Sequence, residues 1–164
     1  MPAEYNFALP SLFASEANFA PIEKLNGTNI DTLVCAFDDT TEEYRNGSFT
    51  VPGDIDTSGT VTFRAYVRNK TAATSNNVAL TFGHLALNDA ETADAAYTDE
   101  DSGDQAITDA NTTVDEITWT ETVTNLGWAA NNMINFRISR DPADTSNLAG
   151  DMYWYTFTIE IPVA

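Results

Sequence analysis

The ten residues TVTFRAYVRN, Thr60–Asn69, alternate without a break. Val61, Phe63, Ala65 and Val67 fall on one side, and Thr62, Arg64, Tyr66 and Arg68 on the other. Successive side chains of an extended chain point to opposite faces, so a period of two marks a strand with one face buried and one wetted. A helix would scatter the same apolar residues around its axis. The stretch therefore predicts a half-buried strand of an antiparallel sheet.

Working outward, MINFRISR (Met133–Arg140) repeats the pattern, with Ile134, Phe136 and Ile138 set against Asn135, Arg137 and Ser139. Further strands are predicted at Thr32–Phe37, Gly47–Val51, Val78–Leu87, Val114–Thr124 and Met152–Ile161. The last, MYWYTFTIEI, falls out of phase. Tyr153, Tyr155, Phe157, Ile159 and Ile161 share one parity, while Met152 and Trp154 hold the other, which implies burial on both sides near its start. Turn chemistry separates these runs in YRNGS, VPGDIDTSGT, RNKTAATSNN and SRDPADTSNLAGD. Seven strands at this spacing make an all-β, antiparallel β-sandwich, and an N-terminal edge strand would complete a jelly roll.

Residues 1–28 are read as an extended N-terminal arm and residues 29–164 as one sandwich domain. Tyr5, Phe7, Leu9, Leu12 and Phe13 stud the arm between Pro10 and Pro21. They serve either as anchors gripping a neighbouring subunit or as apolar residues closing the chain's own sandwich. No signal-peptide pattern or apolar run of spanning length stands in the sequence, so neither export nor membrane insertion is expected.

The 164 residues carry a formal charge of −18. Between Lys70 and Arg137 there is no Lys or Arg but eleven Asp or Glu. That balance argues against nucleic acid as a partner, because phosphate binding needs clustered cations to displace counterions. Cys35, the lone cysteine, lies in the apolar run LVCAF and reads as a buried, inert thiol.

The acidic connection Asn88–Thr113 is long for a loop. Asp99, Asp101 and Asp104 around Gly103 offer hard oxygen ligands for calcium, but at no EF-hand spacing. The other reading is an outward-facing acidic loop, with no cofactor at all. Catalysis is not expected. The single histidine, His84, lies in LTFGHLAL, and no serine sits in a strand–turn–helix elbow. One histidine also falls short of the usual zinc sets. Trp128, in the turn NLGWAANN, is the candidate stacking platform for a glycan, with a packed corner as the alternative. Sequons at Asn26, Asn46, Asn69 and Asn111 read as accidents of Asn/Thr-rich turns.

Two runs, VCAFDDTTEEYRNGSFTVPGDIDTSGTVTFRAYV and FRISRDPADTSNLAGDMYWYTFTIEI, resemble a β-sandwich domain of tailed-bacteriophage virion structural proteins. The likeness is one of pattern and spans roughly residues 30–161. In that family an apolar strand ends in an Ala-Phe-Asp-like corner, an aromatic strand ends in Val-Pro, and an Arg-Asp corner precedes a Gly-Asp turn and an aromatic final strand. The middle segment NKTAATSNNVALTFGHLAL departs from it, since the family tends to carry a Trp where Leu80 or Phe82 stands. The acidic connection is longer than the family's.

The resemblance implies a free-standing virion protein of the capsid decoration, or cement, type. Such a protein would bind the major capsid protein, assemble as a homo-oligomer (a trimer before a dimer), sit on the capsid surface and occupy the host cytoplasm during assembly. The alternative is a tail-fibre or receptor-binding module reading host surface glycans.

Overall fold

The structure is a computed structural model describing residues 1–14, 17–26, 31–72, 77–89, 91–92, 94–143 and 150–164. It begins with β1 (Ala3–Ala8), a 3-10 turn (Leu9–Ser11), β2 (Phe13–Ala14), β3 (Ile22–Asn26) and β4 (Asp31–Phe37). There follow β5 (Tyr44–Thr50), β6 (Thr60–Asn69), β7 (Asn77–Val78), β8 (Leu80–Leu87), β9 (Thr98–Asp101) and β10 (Gln105–Ala106). The chain closes with β11 (Asp115–Thr122), the short α1 (Val123–Leu126), β12 (Met133–Arg140) and β13 (Met152–Ile161). No helix among the described residues is long and apolar enough to cross a membrane.

Two antiparallel sheets form the sandwich. The first runs β11-β6-β13-β4-β3, with β1 also paired to β13, and the second runs β2-β5-β12-β8-β9. The alternation in Thr60–Asn69 settles β6 as expected: Val61, Phe63, Ala65 and Val67 are fully buried, and Thr62, Arg64, Tyr66 and Arg68 are half-buried on the outer face. Between the sheets, Phe63 lies 4.8 Å from Phe82 and stacks with Phe157 at 6.1 Å, centroid to centroid. Each such buried aromatic stabilises the fold by about 1.5–3 kcal/mol through its removal from water.

The phase break in the last strand is a bulge. The register of β13 against β6 slips between Trp154 and Thr156, leaving Tyr155 as the extra residue. Before it Met152 and Trp154 are core, and after it Phe157, Ile159 and Ile161 are. The strand also changes partner here, from β4 at residues 152–154 to β1 at 156–161. Burial on both sides near its start holds as well, since Tyr153 is buried with Val34 and Ala36 on the outer face.

The described residues among the first 26 are built into both sheets. Every residue of β1 pairs with β13, from Ala3 opposite Ile161 to Ala8 opposite Thr156. Tyr5 packs at 4.9 Å on Phe49, Phe7 at 5.0 Å on Phe136, and Leu9 and Leu12 are buried. These four residues close their own sandwich, which is the second of the two readings of the arm. Phe13 alone of the five is exposed. The chain then crosses from the second sheet to the first. Buried Arg45 pins that crossing through hydrogen bonds to the carbonyls of Leu12 and Ala20.

Two turn-like stretches are strands instead. Asn46-Gly47 lies inside β5, where a Cβ on Gly47 would sit 2.5 Å from the Phe136 ring. The glycine serves a close approach rather than a reversal. The acidic Thr98–Asp101 is the edge strand β9, paired with β8. Carboxylates along an edge discourage pairing with a further chain.

Candidate functional site

The outer face of the first sheet carries a trough assembled from strands distant in sequence. At one end Glu4 and Asn6 of β1, Arg64 and Tyr66 of β6, and Thr158 and Glu160 of β13 line a concavity of about 670 Å³. Arg64 is held from two sides, by Glu116 at 3.3 Å and Glu160 at 3.0 Å. The Tyr66 hydroxyl donates to Glu116 at 2.6 Å, and that bond leads the causes holding the Glu116 carboxyl below its ordinary range. Thr158 donates to Asn6 at 2.6 Å, and Asn6 in turn to Glu4 at 2.7 Å. The groups are thus fixed in orientation before any ligand arrives.

The trough continues past Thr156 into a second concavity of about 430 Å³ with Pro10, Leu33 and Tyr155 on its walls. Thr32 and Tyr155 then lead into a third, of about 670 Å³, which includes Lys24 and Arg68. Tyr155 stands at the junction: alternation puts it on the same outer face as Tyr153, and the bulge sets Thr156 on that face beside it. Burial pushes its hydroxyl above the ordinary tyrosine value, so it stays neutral. Four of the chain's seven Lys and Arg, namely Lys24, Arg64, Arg68 and Lys70, border this face. Tyr153 backs it: its hydroxyl donates to Glu23, and Arg68 and Lys70 lie 5.3 and 5.6 Å from its ring centre. Lys70, at 2.7 Å, holds the Glu23 carboxyl below its usual range.

Trp128 is not a surface platform: it is 3 % exposed. The hydroxyl of Thr122 caps α1, Gly127 takes φ +65, and the chain turns Trp128 inward against Phe49 and His84. Its indole N–H donates to His84 Nδ1 at 3.2 Å. An indole only donates, so His84 is neutral with its proton on Nε2, which faces Glu100 at 3.6 Å. Burial pushes His84 down to about 4 and Glu100 upward.

The proposed calcium residues do not converge. Asp99 makes a two-pronged pair with Arg137 at 3.0 and 3.1 Å, and Arg137 is flanked by the Tyr44 and Tyr97 rings. Asp101 accepts from the Gly103 N–H in a local turn, and Asp104 joins neither contact. The tight three-carboxylate group among the described residues is Asp38, Asp39 and Asp151, with oxygens within 4.8 Å of one another. Buried Arg140 lies within their field, and Lys70 holds Asp151 at 3.2 Å, so the group reads as counter-charge to those cations. Cys35 is buried, which pushes its thiol to about 11 and leaves it unreactive.

Of the trough, sequence reading identified the polar face of β6, including Arg64, Tyr66 and Arg68, but assigned it no role. The signal was there: two arginines and a tyrosine in phase on one strand of a chain with seven cations. Nothing local pointed to Thr156 or to Asn6, which reach the same face through a bulge and a pairing 152 residues apart.

The fold defines a class, the antiparallel β-sandwich of jelly-roll type. No family model matches the sequence, and no curated protein does. Among solved structures the chain is similar to a family 35 carbohydrate-binding module from Clostridium thermocellum. That likeness has 13 % identity and a TM-score of 0.52, covering 96 % of this chain and 97 % of the module. It is also similar to the CBM22-1 xylan-binding domain of Paenibacillus barcinonensis Xyn10C, at 10 % identity and TM-score 0.49 over 98 % and 94 % of the two chains. At such identities the likeness is one of fold.

Proposed function

We propose that this chain is a non-enzymatic binding module of a phage particle, reading a host surface glycan along the outer face of its first sheet. The observation that carries the reading is the row of three adjoining concavities, which share Ala8 and Thr156, then Thr32 and Tyr155, as lining residues. It sets the Tyr155 and Tyr66 rings among pre-oriented hydroxyl, amide, carboxylate and guanidinium groups. Sugars present apolar C–H faces and edges of hydroxyls. A ring flanked by fixed donors and acceptors complements both, through stacking and paired hydrogen bonds. The module would act by binding energy alone, with no metal or cofactor. The virion setting is supported by the resemblance of residues 34–67 and 136–161 to phage structural proteins. The shared fold with carbohydrate-binding modules supports the sugar at the level of architecture only.

A glycan array probed with the wild-type chain and with Tyr155→Ala tests the reading. Binding is expected to a restricted set of oligosaccharides and to fall about tenfold or more in the variant. A silent array, or binding indifferent to Tyr155, overturns it.

A second reading, capsid decoration with the major capsid protein as partner and a homo-oligomer as the working form, is favoured by a different observation. Phe13, Phe19, Ile22 and Leu33 are exposed around the crossing segment, Phe13 at 74 % and Leu33 at 55 %. Cosedimentation with undecorated capsids tests it. Phe13→Asp should abolish saturation, and equal saturation would rule the role out.

A further inference from the structure

Arg68 differs from the other cations of the chain. Lys24, Arg64, Lys70 and Arg137 each form an ion pair, and Arg140 lies in the field of three aspartates. Arg45 is occupied by two main-chain carbonyls. Among the described residues Arg68 has no carboxylate partner, although the chain holds 25 Asp and Glu. What holds it is a ring: its guanidinium lies 5.3 Å from the centre of Tyr153, directly across the strand pair. Among the described residues its terminal nitrogens have no hydrogen-bond partner, and the Tyr153 ring stands beside the guanidinium.

The surroundings favour an anion. The concavity at this end is walled by Arg68, Lys24, Tyr155, Thr32, Asn26 and Thr112, two cations with no carboxylate. The acids on the neighbouring strands β3 and β4 are engaged, Glu23 by Lys70 and Tyr153, and Asp31 by Lys24 at 2.7 Å. A planar guanidinium with open terminal nitrogens matches a carboxylate, the more so when an aromatic face stands beside it.

We infer that the Arg68 end of the trough takes a carboxylate-bearing sugar residue, with Arg68 receiving the carboxylate and Tyr155 the ring face. The inference rests on the glycan reading above and narrows it to acidic glycans. The two common sources of that chemistry, a uronic acid and a sialic acid, differ in the substituents around the same carboxylate.

The test is a calorimetric titration with oligosaccharides matched except at one position, glucuronic acid against glucose, with a sialylated oligosaccharide as the third ligand. The wild-type chain should bind one acidic form about tenfold tighter than the neutral one, with the preference shrinking as salt rises. Arg68→Gln, which keeps much of the stem, should bring acid and neutral forms to parity. Lys24→Gln, at an exposed position, should lose part of the preference and guards against a folding defect in the first variant. Tyr155-dependent binding with equal affinity for acid and neutral forms overturns the acidic assignment alone. A preference surviving Arg68→Gln in a folded variant does the same. No binding of any oligosaccharide removes the glycan reading and this inference together. Preference for the glucuronate or the sialylated ligand identifies the source.

Discussion

At the scale of single residues, the buried trio Trp128, His84 and Glu100 couples stability to pH. His84 is neutral in the fold, depressed to about 4 from an ordinary 6.5 by burial. Between those values the unfolded chain binds a proton that the folded one refuses. The His84 contribution is therefore complete above about pH 6.5 and is lost as pH falls toward 4, about 2 kcal/mol of it by pH 5. Glu100, raised by burial and by Glu121 and Asp99 nearby, acts in the opposite sense as it takes up its own proton. A comparison with His84→Gln, which keeps an acceptor for the Trp128 indole but does not titrate, isolates the histidine. In urea unfolding between pH 7.5 and 5, wild type should lose about 2 kcal/mol more than the variant. Parallel pH curves for the two proteins would refute the assignment.

At the scale of elements, β1 is structural. Removing residues 1–8 takes Tyr5 and Phe7 off Phe49 and Phe136 and opens the edge of β13. Losing two partly buried aromatics should cost about 2–4 kcal/mol. The truncated chain should unfold at much lower urea and aggregate through its bared edge. An unchanged midpoint would mean that β1 contributes no stability. The elements also show what a sequence makes legible. The bounds of β6, β12 and β13 were readable because alternating burial writes itself into residue order. β9 was hidden because it has no apolar phase of its own; its ladder to β8 is accompanied by an Asp99 pair to an arginine 38 residues away. The burial of Trp128 was hidden likewise, since its partner His84 lies 44 residues back. Half the trough was visible as the polar face of β6. The other half depends on a one-residue bulge that no period reveals.

At the scale of the molecule, charge is distributed with a bias. The chain carries −18 overall, yet four of its seven Lys and Arg border one sheet face. Acidic residues over the rest of the surface repel anions, and the Arg68 end of the trough, walled by two cations and no carboxylate, is where that repulsion is locally relieved. A field of this kind orients an approaching acidic ligand before contact, and salt weakens it.

The pairing of β1 with β13 has a mechanical consequence. Ala3 lies opposite Ile161, and Val163 bridges back to Ile55, so the first and last strands run side by side in opposite directions and finish at the same end. Force applied between the two ends would not drag these strands past each other with all their hydrogen bonds resisting at once. It would part them like a zip, one rung after another from Ala3 toward Ala8. In a tweezers experiment, a tether joining both termini should yield at low force in an early step that releases the 6 residues of β1, β13 staying paired to β6. A tether from residue 8 to the C-terminus should instead load the same rungs in parallel and hold to higher force.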